Sequence, residues 1–388
     1  MNQTRFIVAG SLIDGSGGGA RRNVYLAVKD TMITAIGPAA DLPGCGEAAI
    51  DDFSHCTILP ALVDCSLSLA RSPAVDEKMR LAMEGGALPA HHIRYCHAHG
   101  VLGVADNGDL PGPGEDLPTE VAEGYLIEIR SARLCRSRQN CPAGGDFLRV
   151  AYSADIEAED GSPFRLNQEE LARILRRRGG RKAVVVANGR RRVKEALAAG
   201  CDAIEQGYGM GEDNLRRMAE RQVLWIPNVL RAKNGLDGAG GGGEVCCRFS
   251  HRYVAPGKAL PGAELFWKRT LADQLSQLRF AAKLGVTTAV GTGAGSAGIL
   301  HGESLAEEMK LFIKAGYSLE ETIRCASENG GRFFDMEGLG RLTIGRKATF
   351  LISRGSPHQL PRKLSYLEGI YIDGAPSGAY RKNPLRTA

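Results

Sequence analysis

The chain of 388 residues contains ten cysteines (45, 56, 65, 96, 135, 141, 201, 246, 247 and 325), yet no CxxC pair occurs among them. That excludes the usual zinc-ribbon and thioredoxin-like motifs. No apolar run approaches the roughly 18 residues of a membrane span. Aromatic residues make up 6% of the chain, and none interleaves with the arginine runs Arg176–Arg177–Arg178 and Arg190–Arg191–Arg192. Without stacking platforms these runs read as solvated helix faces rather than nucleic-acid contacts. The N-terminus, "MNQTRFIVAGSLIDG", shows no basic-then-apolar leader. The expectation is a cytoplasmic protein with reduced thiols and no disulfide framework.

What is present is an ordinary globular composition, 43% hydrophobic and 24% charged, with a formal net charge of +5. A chain this long can bury one large core and a smaller one. The first 55 residues read as short strands joined by turns such as "DGSGGG". The same texture returns in "GRLTIGRKATFLIS" (340–353) and "LEGIYIDG" (367–374). Residues 1–55 and 340–388 are therefore expected to form one composite β-sandwich around a central domain, 56–339.

In that central part strands alternate with helices. Candidate strands are 57–63, 100–105, 125–130, 147–152, 183–187, 203–206, 223–226 and 286–291. Asn167 with Glu170, Ser304 with Glu307 and Ser318 with Glu321 have capping-box spacing, and a helix from Arg190 to Ala199 stops at Gly200. Eight such units over about 250 residues predict a (β/α)8 barrel, with a doubly wound sheet as the alternative. In a barrel the chemistry sits at the C-terminal ends of the strands. There the stretch "TILPALVDCSLSLARS" (57–72) poses a question, because alternation places Asp64, Ser66 and Ser68 together on one face of a buried strand.

"TMITAIGP" followed by "ILPALVDCSLSL" resembles the opening of the metal-dependent amidohydrolase superfamily, in particular its imidazolonepropionase-like branch. The resemblance continues through "GVLGVADNGD", "VVVANGRRRVKEALAAGCDAIEQG", "GVTTAVGTGAGSAGILHGESLAEEMKLFIKAGYSLEETIRCASENGG" and "GRLTIGRKATFLI". It implies a barrel that holds one or two divalent metals, zinc or a similar ion, and hydrolyses C–N bonds with a metal-activated water. The family's ligands would be a His-x-His on strand 1, a lysine on strand 4, histidines on strands 5 and 6, and an aspartate on strand 8.

Carried over by position, the strand 1 pair falls on Ser66 and Ser68, the lysine on Arg149, the two histidines on Val186 and Gln206, and the aspartate on Gly293. An alanine-aspartate near the C-terminus falls on Ala348–Thr349. All six ligand positions are changed. A guanidinium stays protonated and cannot form a carbamate. Taken alone, it would oppose a dication 4 Å away by about 8 kcal/mol at an effective dielectric near 20.

The resemblance therefore implies an amidohydrolase-like barrel with no metal centre and no cofactor: a pseudoenzyme kept for small-molecule binding or assembly. A pocket carrying Arg149, Ser66, Ser68 and Gln206 would suit a small anion. The alternative is an active C–N hydrolase using a relocated metal or a metal-free mechanism. A protein partner and a homo-oligomer are expectations by family analogy. Asp64, His301 and Glu303 are the remaining acid–base candidates, with Asp64 read as a structural hydrogen-bonder. In "HHIRYCHAHG" the His97-x-His99 pair, with His91, His92 and Cys96, reads as surface residues on the N-terminal face. Cys65 is expected to point away from Ser66. Cys246–Cys247 are placed in a mobile loop after strand 7.

Overall fold

The computed structural model describes residues 4–43, 49–73, 88–108, 125, 127–135, 144–153, 166–239, 243–247, 250–254, 262–336 and 338–380. Four strands open the chain: β1 (Arg5–Leu12), β2 (Arg21–Lys29), β3 (Met32–Pro38) and β4 (Ala49–Pro60). Seven parallel strands follow. They are β5 (Leu62–Leu67), β6 (Val101–Asp106), β7 (Glu128–Cys135), β8 (Phe147–Ala151), β9 (Ala183–Ala187), β10 (Ala203–Gln206) and β11 (Leu224–Ile226), hydrogen-bonded in chain order. After the hairpin β12 (Gly243–Cys247) and β13 (Ser250–Val254) come β14 (Phe350–Arg354), β15 (Leu367–Ile372) and β16 (Ala375–Pro376).

β14, β15 and β16 return to the N-terminal strands, in the order β16-β15-β14-β4-β1-β2-β3. The two chain ends thus share one sheet, with Ile7, Leu26, Ile33, Ile58, Phe350 and Ile352 in a common buried cluster. β4 carries this sheet on to Pro60, past the boundary drawn at 55. Ile58 and Leu59 therefore pair with β14, and the first barrel strand starts at Leu62 instead of residue 57.

The seven-strand sheet is nearly closed. The eighth stave, expected at 286–291, is an extended segment that bonds to both neighbours. On one side Trp225 donates to Thr287 O at 2.9 Å and Ala289 to Trp225 O at 2.8 Å. On the other, Cys65 donates to Val290 O at 2.9 Å and Gly293 to Ser66 O at 2.7 Å. Inside the barrel Val63, Ala132, Phe147, Val184, Leu224 and Phe334 form an apolar plug. The lower lumen is a packed core, as in barrels generally.

Two capping boxes form as expected, at Asn167 with Glu170 and at Ser318 with Glu321. The third does not. The helix there runs Glu303–Ala315 with Gly302 at its N-cap, so Ser304 lies inside the first turn, where it is buried. Cys246 and Cys247 sit in the β12–β13 hairpin and not in an irregular loop. The thiols also depart from expectation. Cys65, Cys96, Cys201 and Cys325 are free, but Cys135 is disulfide-bonded. Cys45 and Cys141 lie outside the described residues. Pairing depends on Cβ separations set by the tertiary fold, which sequence spacing does not show.

The terminal sheet packs against the barrel at Gly100, which follows the helix Leu88–Ala98. Its φ is +75°, and an added Cβ would lie 2.5 Å from Leu351 Cδ1. Gly100→Ala combines left-handed strain with this collision, so it is expected to destabilise the chain by about 1–3 kcal/mol. The denaturant midpoint measures this, and an unchanged midpoint would place the two sheets differently.

Candidate functional site

Alternation along the barrel strands sets the site. Phe147, Val184 and Ala203 belong to the apolar plug. The residue two positions further along each strand is Arg149, Val186 and Glu205, on the same face and one layer nearer the C-terminal mouth. Here the lumen opens into a cavity of about 150 Å³ lined by Ser66, Ser68, Arg149, Val186, Gln206 and Gly293, among others. All six positions singled out from the sequence therefore converge on one cavity.

The organising group was not among them. Glu205 receives Arg149 Nε on Oε2 at 2.7 Å and Arg149 Nη2 on Oε1 at 2.9 Å. The Ser66 hydroxyl donates to the same Oε1 at 2.7 Å. The side chains are 4% exposed for Glu205 and 13% for Arg149, so this is a two-pronged ion pair in a nearly dry setting. Its sequence signal was the two-residue period of "AIEQG", which puts Glu205 on the lumen face with Ala203. Gln206, adjacent, has φ +70° and accepts Asn188 Nδ2 on its side-chain oxygen at 2.7 Å. Two further lining arginines, Arg71 and Arg231, carried no legible signal because they come from segments beyond the strand ends.

Asp64 does not share the face of Ser66. A register shift between Asp64 and Leu67 breaks the alternation of β5. Asp64 is wholly buried and grips the closing segment, accepting Thr292 Oγ1 at 2.6 Å, Thr292 N at 3.0 Å and Ser66 N at 3.2 Å. Burial raises its carboxyl to about 6 against these bonds. His301 and Glu303 are buried and, like Asp64, do not line the cavity. His301 Nε2 donates to Ser68 O at 2.8 Å, and its ring stacks on His92 with centroids 3.6 Å apart.

Of the histidines expected at the surface, His91 is exposed, but the others are not. His92, His97 and His99 are 2%, 0% and 4% exposed. His92 Nδ1 contacts Leu69 O at 2.7 Å, His97 Nε2 reaches Ser377 Oγ at 3.0 Å, and His99 Nδ1 reaches Tyr95 O at 2.8 Å. The helix is covered by the barrel on one side and by the returning C-terminal strands at its end, so its imidazoles serve separate neighbours. Cys65 lies in the apolar plug beside Val63, with burial holding its thiol well above the ordinary range. The two arginine runs are largely exposed, with Arg178 paired to Asp202 and both Arg191 and Arg192 to Glu195.

A dication does not suit this donor set. A zinc site takes three or four imidazole, thiolate or carboxylate ligands. The lumen mouth has Glu205, with its oxygens already engaged by Arg149 and Ser66. Among the described residues no three His, Cys, Asp or Glu side chains gather into a ligand group.

The sequence pattern described as "Amidohydrolase family" matches residues 158–374, more than half of the chain. The chain belongs to the amidohydrolase family. No curated protein sequence matches it. Amidohydrolase-like folds are evident among solved structures. A Xaa-Pro dipeptidase with bound methionine in the active site superposes with a TM-score of 0.76 at 18% identity, covering 96% of this chain and 99% of that one. The ochratoxinase of A. niger gives 0.74 at 18% identity, covering 97% and 95%. Molinate hydrolase gives 0.74 at 15% identity, again covering 97% and 95%. At these identities the likeness establishes the fold. No helix among the described residues is long and apolar enough to cross a membrane.

Removing the arginine of a buried pair strands its partner. Arg149→Met is expected to cost about 3–5 kcal/mol. Adding Glu205→Gln should recover much of that loss, since no uncompensated charge remains; equal loss in the single and double variants would deny the coupling.

The stacked histidines make a second expectation. Burial lowers His92 to about 4 and His301 to about 3. The unfolded chain, with imidazoles near 6.5, binds these protons first, so their contribution is complete above pH 6.5 and is lost as pH falls towards 4. Asp64, raised to about 6, acts in the opposite direction over part of that window. His301→Phe should therefore make the fall in stability between pH 6.5 and 4 shallower, by up to about 1.4 kcal/mol per pH unit. Parallel denaturation of the two proteins across that range checks it.

Proposed function

We propose that this amidohydrolase-family chain is a pseudoenzyme, in which an internal ion pair stands where relatives hold a metal and the barrel mouth serves binding rather than hydrolysis. The observation that carries this reading is the engagement of Glu205 by Arg149 and Ser66 at 2.7–2.9 Å. By the sequence resemblance to the imidazolonepropionase-like branch, Ser66 and Arg149 occupy two of the ligand positions, and Val186 and Gly293 occupy two more with no ligating group.

The physical reason for excluding a metal differs from the repulsion estimated for Arg149 alone. Glu205 neutralises that guanidinium, so the larger effect is competition for lone pairs. A metal would have to displace two charge-assisted bonds and one hydroxyl bond to gain a single carboxylate. A structural zinc ion gains roughly 10–16 kcal/mol from a full ligand set, and one carboxylate falls far short of that. The two capping boxes that form and the nearly closed barrel support a fold retained for use, since decay would also erode folding signals.

Elemental analysis of purified untagged protein should find metal far below one equivalent. Assays on amides, lactams and imidazolone rings should show no turnover dependent on zinc or manganese. One bound equivalent of zinc, iron or manganese, with turnover lost in Ser66, Arg149 or Gln206 variants, would overturn the proposal in favour of an active hydrolase.

A further inference from the structure

Of the four residues expected to hold an anion at the barrel mouth, three are committed elsewhere. Arg149 and Ser66 are bonded to Glu205 and Gln206 to Asn188, while the Ser68 hydroxyl has no hydrogen-bond partner. Arg71 and Arg231 also line the mouth, against Gly295 and Gly293 of one loop, and have partners of their own. The opposite end of the barrel differs. There a cavity of about 490 Å³ opens among Lys182, Gln222, Thr287, Arg324, Arg332 and Phe333. Lys182 and Gln222 lie just before β9 and β11, so this is the N-terminal face of the barrel.

The charged groups of this cavity differ in their commitments. Lys182 is neutralised by Asp335, whose two carboxylate oxygens it reaches at 2.8 and 2.9 Å. Glu321, the lining carboxylate, accepts Ser318 N at 2.8 Å in its capping box. Arg324 donates to Ser16 O at 3.4 Å and has no carboxylate partner among the described residues. Arg332, which is exposed, has neither a hydrogen bond nor an ion pair among them. The two arginines come from successive helices, Leu319–Cys325 and Glu328–Phe333. Both helices are tied to the start of the closing segment. Asn329 Nδ2 donates to Thr288 O at 2.8 Å, and Tyr317 Oη, just before the first helix, lies 3.2 Å from Thr288 Oγ1. On the other wall Gly285 caps the C-terminus of the helix Ala263–Leu284. Carbonyls at such an end repel an anion and accept from hydroxyl donors.

One wall thus offers guanidinium groups without carboxylate partners, and the facing wall offers acceptors. A guanidinium presents parallel N–H donors that match the oxygens of a phosphate. The volume of about 490 Å³ lies in the range of roughly 300–1,000 Å³ usual for small-molecule sites, so a lone phosphate would leave most of it unfilled. We propose that this cavity binds a phosphate monoester of a polyol, a sugar phosphate or nucleotide, through Arg324 and Arg332. The phosphoryl group meets the two arginines, and the hydroxyls turn towards the carbonyl end of the helix Ala263–Leu284. Gln222 and Thr287, both exposed in the cavity, add hydrogen-bonding groups for those hydroxyls. A nucleotide would gain stacking on Phe333, which a sugar phosphate would not. The site is separate from the barrel mouth and does not rest on the pseudoenzyme reading.

The test is isothermal titration of the full chain at constant ionic strength, with ribose 5-phosphate, AMP, inorganic phosphate, ribose and adenosine as separate arms. Ribose 5-phosphate or AMP should bind at one equivalent and more tightly than inorganic phosphate, while ribose and adenosine should show no binding. Tighter binding of AMP assigns the site to nucleotides, and equal affinity assigns it to sugar phosphates. Arg332→Gln removes a side chain with no bond to lose, so the fold should persist. It should weaken binding about tenfold or more, as loss of a charge-assisted hydrogen bond does. Arg332→Lys, which keeps the charge without the fork, should retain part of the affinity. Absence of binding by both esters overturns the inference, as does binding unchanged in Arg332→Gln. Inorganic phosphate, ribose or adenosine binding as tightly as the esters overturns it too.

Discussion

One ion pair organises the barrel mouth. Arg149 on β8 and Glu205 on β10 meet across the lumen with two bonds, and Ser66 on β5 adds a third to the same carboxylate. Charges so little exposed stay buried because they compensate each other, and the pair joins three strands that the sheet ladder alone would leave well apart. In the proposed pseudoenzyme reading, the same bonds use the lone pairs that a dication would need. Arg149, Glu205 and Ser66 also line the small cavity at the mouth.

Around this pair, groups with apparent chemical promise have structural work. Asp64 joins the first barrel strand to the closing segment, where the ladder has thinned to isolated bridges. His301 and His92 each hold a backbone carbonyl, of Ser68 and Leu69, with their rings stacked behind the strand end. Their neutrality follows from burial, and it fixes the position of the segment that carries Ser68 to the cavity wall. Glu308 likewise anchors the start of the helix that presents Arg231. The mouth is thus flanked by buried polar groups bonded to backbone atoms of the segments that form it.

The barrel was legible in the chain because its signals are local. Strand and helix periods, two capping boxes and the stop at Gly200 depend on neighbours a few residues apart. The third box failed because Gly302, with φ +71°, is the N-cap two residues before Ser304 and leaves that serine inside the first turn. The buried histidines were misplaced because helical spacing shows which residues share a face but not what covers it. Here the cover includes Ser377, 280 residues away in sequence.

From sequence alone, the chain determined its alternating architecture, the joining of its two ends in one β domain, and the six positions that line the mouth. These follow from periodicity and from position within a family pattern. The tertiary structure decided what those positions do. It paired Arg149 with Glu205, turned Asp64 away from Ser66 through a shift in register, left the Ser68 hydroxyl without a bond, and brought Arg71 and Arg231 to one loop. Each depends on distances between segments far apart in the chain, and side-chain electrostatics and hydrogen bonding are governed by those distances rather than by sequence order.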